Sequence, residues 1–165
     1  MPFKILFICG TFELSKSGVA DYIHCLALEL TKRGFQCACI ALHDPYSSAT
    51  HAAAHLQWQL HELPVKRLSS RLSWTVKTDL LKAEIQALNP DWISFHYVPY
   101  AYNLKGLPLG LLRGLGAVKS SAQWQIMTHE LWVDPSSGLR NRLLSTLQQW
   151  IARRLLAMLR PQVIH

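Results

Sequence analysis

Two histidines stand where an apolar run gives way to polar residues. His96 closes Asp91-Trp92-Ile93-Ser94-Phe95-His96, and His129 follows Gln123–Thr128 and precedes Glu130. An imidazole at a strand end can exchange hydrogen bonds with a hydroxyl-rich ligand or serve as a general base near neutral pH. It can equally be tied to loop backbone, and spacing leaves both readings open for His129 and for His96. A third feature is the polar stretch Gly10–Gly18, which ends in Ser17-Gly18 with Asp21 just beyond. If a helix starts there, its free amides and positive dipole end face whatever occupies the loop. Gly18 either admits a ligand close to the backbone or only begins the helix. The stretch lacks G-x-G-x-x-G and G-x-x-x-x-G-K-[ST], which argues against a dehydrogenase or a P-loop enzyme. His24, His51, His55 and His61 are expected on solvated surfaces. His51 and His55 are four apart, a helical metal spacing, but no third ligand stands near and no metal is expected.

These residues need elements to position them. Phe3–Cys9 is apolar at all but one position and reads as a strand buried on both faces. Val19, Tyr22, Ile23, Leu26, Ala27 and Leu30 recur at helical steps, predicting a helix from about Gly18 to Arg33 with Gly34 as its stop. Phe35 to Leu42 is a second strand. His43 to Gln57 reads as a loop with a short helix through Ala52–Ala54. Trp58 to Val65 is a further strand, placed at a sheet edge by Pro64. Ser70 to Leu88 is a second helix, ended by Asn89-Pro90. Asp91 to His96 is a strand, and Tyr97 to Asn103 an aromatic loop. Lys105 to Lys119 reads as a helix whose glycines let it lie close to the sheet. Gln123 to Thr128 is another strand. Gly138 to Leu159 is a long basic helix with Leu143, Leu147, Trp150, Ile151, Leu155 and Met158 as its buried stripe. Gln162–His165 opens one more strand. Strands alternating with helices give an α/β fold: a Rossmann-like, mostly parallel sheet with helices on both faces, in a single domain over residues 1–165. Ligands of such sheets gather at the carboxyl ends of the strands. Ser17, Gly18 and Asp21, the turn at His43-Asp44, His96, and His129-Glu130 are therefore expected on one rim.

The 165 residues can bury about 70% of their unfolded surface. With 50% hydrophobic and 16% charged residues, the chain is not disordered. A net charge of +7 favours anionic partners: phosphates, acidic lipid or nucleic acid. Nucleic acid ranks last, since the basic residues lie along helices rather than among stacking aromatics. The arginines near Trp150 on the last helix keep an acidic membrane surface open as a partner. Cys9, Cys37 and Cys39 read as core thiols of a reducing compartment. No segment resembles a signal peptide or a membrane span, so the expected location is the cytoplasm, with peripheral membrane contact left open.

Together KILFICG, SGVADYIHCLALELTKRGFQCACIAL, NPDWISFHY, QWQIMTHELW and PQVIH span nearly the whole chain. In this order they resemble the N-terminal half of family 4 glycosyltransferases, GT-B enzymes that move a sugar from a nucleotide-sugar donor. The resemblance implies an acceptor-side domain of a retaining transferase that needs no metal or other cofactor. Ser17, Gly18 and Asp21 would face the interdomain cleft, and His129 would lie near the transferred sugar; His96 and Glu130, by their expected place on the same rim, are further candidate substrate contacts. It further implies a sugar or glycolipid acceptor, a UDP- or GDP-sugar donor, and a C-terminal nucleotide-sugar domain as partner, without which the chain is expected to be inactive. Where the family often has two adjacent glycines, this chain has Ser17-Gly18. The competing reading is a stand-alone basic α/β module that binds an anionic ligand or membrane surface without catalysis.

Overall fold

A computed structural model describes residues 2–47, 54–56 and 63–165. The elements run β1 (Lys4–Cys9), α1 (Gly18–Lys32), β2 (Gln36–Asp44), β3 (Ala54–Leu56), β4 (Val65–Ser69), α2 (Trp74–Leu88), β5 (Trp92–Tyr97), α3 (Pro99–Tyr102), α4 (Leu109–Gly116), β6 (Gln123–Thr128), a 3-10 turn Pro135–Ser137, α5 (Leu139–Leu159) and β7 (Val163–Ile164). The sheet order is β3-β4-β2-β1-β5-β6-β7. Among the described residues every strand pairing is parallel except β3 with β4. The chain therefore winds outward from β1 in one direction to β2 and β4, then in the other through β5, β6 and β7. The strand order reverses between β1 and β5, the place where open α/β sheets leave a crevice for ligands.

Side-chain alternation along β1 feeds two cores. Leu6 and Ile8 join Ile40, Leu42, Ile93 and Phe95 beneath α2, α4 and α5. Phe7 and Cys9 join Cys37, Cys39 and Ala41 beneath Ala20, Ile23 and Ala27 of α1. Cys9, Cys37 and Cys39 are thus core thiols, with Cys9 and Cys39 sulfurs 3.9 Å apart, while Cys25 is exposed. Of the described helices, α1 packs on that second core alone. Beside it Phe3, Ile5, Leu30, Trp92, Ser94 and Gln125 help to line an open groove of about 230 Å³.

Several boundaries differ from the sequence expectation, each for a local reason. β2 extends to Asp44 because His43 N–H donates to Gly10 O at 2.7 Å, continuing the ladder past Leu42. Ala54 starts an antiparallel edge strand rather than ending a short helix; Ala52 and Ala53 lie outside the described residues. Of the strand expected over Trp58–Val65, residues 58–62 lie outside the described set. Val65 instead begins β4, which β3 covers, so it is not the edge. α2 starts at Trp74, where Ser73 Oγ accepts from Val76 N–H and caps the helix. The aromatic loop holds the one-turn α3.

The glycines of α4 serve a contact between helices. A Cβ on Gly110 would strike the Trp74 indole, and one on Gly114 would lie 2.5 Å from Thr78 Oγ1. They bring α4 against α2 rather than against the sheet. The largest revision concerns α5. Ile151 and Leu155 are buried as expected, but the inward face is completed by Ser145, Gln148 and Ala152. Leu143, Leu147 and Trp150 face solvent. Gln148 displaces them because it anchors two loops. Its Oε1 accepts from Val133 N–H at 2.8 Å, and its Nε2 donates to Gly106 O at 3.2 Å.

Candidate functional site

The loop after β1 leaves the sheet at Gly10, where a Cβ would lie 2.5 Å from that of Ala101 in α3. Only glycine lets the two loops at the β1–β5 crevice approach this closely. Ser15 adopts φ 65°, and its N–H donates to Asp21 Oδ1 at 2.9 Å. Ser17 caps α1, its Oγ accepting from Ala20 N–H at 3.3 Å. Asp21 is therefore engaged in closing the loop, and Ser17 in starting the helix. Gly18 is exposed, and no atom of the described residues stands within 4 Å of where its Cβ would be. The packing of the described residues does not demand a glycine there. Thr11 Oγ1 is buried in the same loop without a hydrogen-bond partner among the described residues.

The loop is tied to the sheet by a buried ion cluster. Asp44 at the end of β2 is fully buried. Arg67 of β4 donates to it twice, Nε to Oδ2 at 2.6 Å and Nη2 to Oδ1 at 3.1 Å. The amides of Phe12 and Tyr46 donate to the same carboxylate at 3.1 and 2.9 Å. Arg67 Nη2 also reaches Glu13 Oε2 at 2.5 Å. Burial alone would raise the Asp44 pKa, but the Arg67 hydrogen bonds, the two amides and the guanidinium charge hold it below the usual carboxylate value. The clasp thus fixes Phe12 and Glu13, and through them the path of the chain into α1.

Across the crevice, β5 and β6 bring the two histidines together. His96 Nδ1 lies 3.1 Å from His129 Nε2, with the rings 5.4 Å apart and nearly parallel at 20°. On its other side, His96 Nε2 lies 3.2 Å from Ser94 Oγ. His96 is buried, whereas His129 is exposed. Burial, then the neighbouring His129, lowers the His96 pKa to about 3, and burial lowers that of His129. Both rings are therefore neutral at pH 7, and proton placement runs along the chain. If Ser94 donates to His96, His96 donates to His129, and His129 carries its own proton on Nδ1. If Ser94 accepts, every bond reverses and His129 Nδ1 offers a lone pair. Ser94 and His96 thereby decide whether the exposed imidazole is a donor or a base.

Tyr22, one residue after Asp21, lies against both imidazoles, with ring centroids 5.8 Å from His96 and 6.2 Å from His129. Gly18, Asp21, His96 and His129 are in this way brought to one edge of the sheet. Glu130 is also exposed there, and its carboxylate has no partner among the described residues. The turn at His43 divides in function. Asp44 belongs to the clasp, while His43 stacks on Trp74 and its Nδ1 lies 2.8 Å from Lys77 Nζ. Lys77 is buried and also donates to Ser70 O. Burial lowers its pKa to about 8, and burial together with the Lys77 charge lowers that of His43 to about 4.

Sequence reasoning missed Ser94, Tyr22, Glu13, Arg67 and Lys77. Ser94 was within reach, since residues two apart on a strand share a face. Arg67 was not, because the apolar pattern before Pro64 points to a strand over residues 58–65, while β4 runs Val65–Ser69. Among the described residues no cluster of three or more His, Cys, Asp or Glu side chains has metal-binding geometry. No helix among them is long and apolar enough to cross a membrane. Comparison of the chain with models of protein families, with curated proteins and with solved structures yields no match to any of the three.

Proposed function

We propose that this domain is the acceptor-side half of a retaining glycosyltransferase of GT-B architecture. In this reading it works with a second lobe that carries the nucleotide-sugar, and it transfers nothing alone. The observation that carries it is the neutral His96–His129 pair beside the start of α1 at the sheet's strand-order reversal. A neutral imidazole whose outward nitrogen is polarised from behind suits a sugar hydroxyl, to which it can donate or accept. The uncovered backbone at Gly18 and the positive end of α1 suit the acceptor's oxygens or the donor's phosphates. His129 is the group closest to the chemistry, positioned by His96, with Ser17 and Asp21 shaping the loop and Glu130 at the cleft margin.

The test is titration of the chain with octyl glucoside below its micelle concentration, and separately with UDP-glucose, read by NMR of the histidine side chains and backbone amides. The expected result is movement of His129, Tyr22 and Gly18 with the glucoside, and no glucose transfer when both are present. Shifts elsewhere with an unmoved rim would remove the reading. Transfer by the 165-residue chain would remove its two-lobe part. The competing anionic-ligand module is favoured if inorganic phosphate alone moves the start of α1 and no sugar moves His129.

A further inference from the structure

The groove beside α1 runs up to the residue that stands behind the histidine pair. Its floor follows from the strand register. Phe7 lies opposite Ser94, and Ser94 opposite Gln125, so the three form one row across β1, β5 and β6. Ile5 and Trp92 form the row below, and His96 with Met127 the row above. Leu26 and Leu30 of α1 supply the wall. The space of about 230 Å³ falls short of the roughly 300–1,000 Å³ of pockets for drug-sized ligands, which suits a single ring or a short chain. Among the described residues no charged side chain lines it. Ser94 and Gln125 are its hydrogen-bonding side chains, and they are cross-strand neighbours, with Cβ atoms about 5 Å apart in such a pair. Ser94 is buried, and its Oγ lies 3.2 Å from His96 Nε2. The Gln125 side chain is half-buried and makes no hydrogen bond with the described residues.

We infer that this groove binds a small, uncharged, mainly apolar carbonyl compound, and that its occupancy sets the state of His129. The carbonyl oxygen would accept from Ser94 Oγ–H and Gln125 Nε2–H, while the ring or chain rests against Trp92, Leu26 and Leu30. Three properties choose that chemistry. An ion would find no counter-charge, and burying one unpaired is strongly unfavourable. An alkane would leave Ser94 and Gln125 without a partner in the groove. A carbonyl has two lone pairs for two neighbouring donors and no donor of its own. The link to His129 follows from the single proton of a hydroxyl. Once Ser94 donates to the ligand, it can only accept from His96. His96 then carries its proton on Nε2 and accepts at Nδ1 from His129 Nε2–H, which leaves a lone pair on His129 Nδ1. An occupied groove thus makes the exposed imidazole an acceptor. Binding and tautomer stand apart from the transferase reading. Only their consequence, a rim histidine ready to take a hydroxyl proton, rests on it.

The test is titration of the isotope-labelled chain with cyclohexanone at neutral pH, beside toluene, a ring of similar size without an acceptor oxygen. Proton–nitrogen correlation of the imidazoles reads the tautomer, and the backbone amides read the site. The expected result is saturable movement of the Trp92, Ser94 and Gln125 amides with cyclohexanone, and a shift of His129 toward the form protonated on Nε2. Toluene should move Trp92 and Leu26 and leave the tautomer as it was. Ser94→Ala should weaken cyclohexanone binding about five- to tenfold and abolish the tautomer change. Gln125→Leu should weaken binding to a similar degree and keep the change at saturation. Neither variant enlarges a side chain much, so circular dichroism should stay native. Unmoved groove amides overturn the inference. So does binding without a tautomer change, or binding that both variants leave intact. A concentration-dependent dimer that hides the groove would assign it to a second copy and overturn it too. No sugar is present, so a rim that binds none leaves this result untouched.

Discussion

Removing the Arg67 side chain tests the clasp that holds the first loop. In Arg67→Met, the fully buried Asp44 keeps the amides of Phe12 and Tyr46 but loses both guanidinium bonds. Removing one partner of a buried ion pair costs about 3–5 kcal/mol, and the retained amides place this case near 3 kcal/mol. The second pair, to Glu13 at 28% side-chain exposure, adds no more than roughly 1 kcal/mol. For a chain of this length about 3 kcal/mol lowers Tm by about 6–12 °C. The pH dependence has a definite sign. Asp44's folded pKa lies below its unfolded value, so the wild-type pair stabilises above the carboxylate range and that stability is lost as pH falls through the folded pKa. The gap between wild type and variant should therefore narrow below about pH 4. Urea denaturation at pH 7 and pH 3.5 measures both. A double-mutant cycle with Asp44→Asn should return coupling of about 2 kcal/mol. A loss under about 1 kcal/mol with additive single variants would refute the clasp.

Gly110→Ala should destabilise. The added methyl meets the Trp74 ring and costs about 1–3 kcal/mol, more than the roughly 1 kcal/mol that alanine gains in a helix. Gly18→Ala, with open space around it, should be near neutral in the same thermal assay. His96 has a folded pKa of about 3 against an ordinary 6.5, so the unfolded chain binds the extra proton and stability falls as pH drops through that window. His96→Gln should flatten the fall in urea midpoints between pH 7 and 4; an unchanged slope would contradict the buried neutral ring. Lys77, at about 8 against 10.5, should make stability rise between those values, as the folded lysine sheds its proton first. Lys77→Met should abolish that rise.

The α/β architecture was legible because β1, α1, β5 and β6 each carry a clean signal: a continuous apolar run or a helical stripe with a capping residue. The bounds of Gln123–Thr128 are legible to the residue, with Ser120-Ser121 before the strand and polar residues after it. The convergence of Gly18, Asp21, His96 and His129 followed from strand order, since parallel sheets put all their carboxyl ends on one edge. What pattern could not reveal was which contacts close that edge. The pairing of His96 with His129 needs the β5–β6 register, in which His96 lies opposite Met127. The outward turn of Leu143 and Leu147 depends on Gln148, a polar residue that outcompetes leucine for the interior only because two loop backbones need its amide. A helical stripe count cannot see partners supplied by loops.

The rim itself is tested most directly by photolabelling. A diazirine derivative of octyl glucoside, irradiated with the chain and mapped by mass spectrometry, reports where a sugar rests. Labels on the segments around Ser17–Tyr22 and His129–Trp132, lost when free octyl glucoside competes, are the predicted result. Labels confined to the opposite sheet edge around Lys119–Gln123, or none that competition removes, would contradict it.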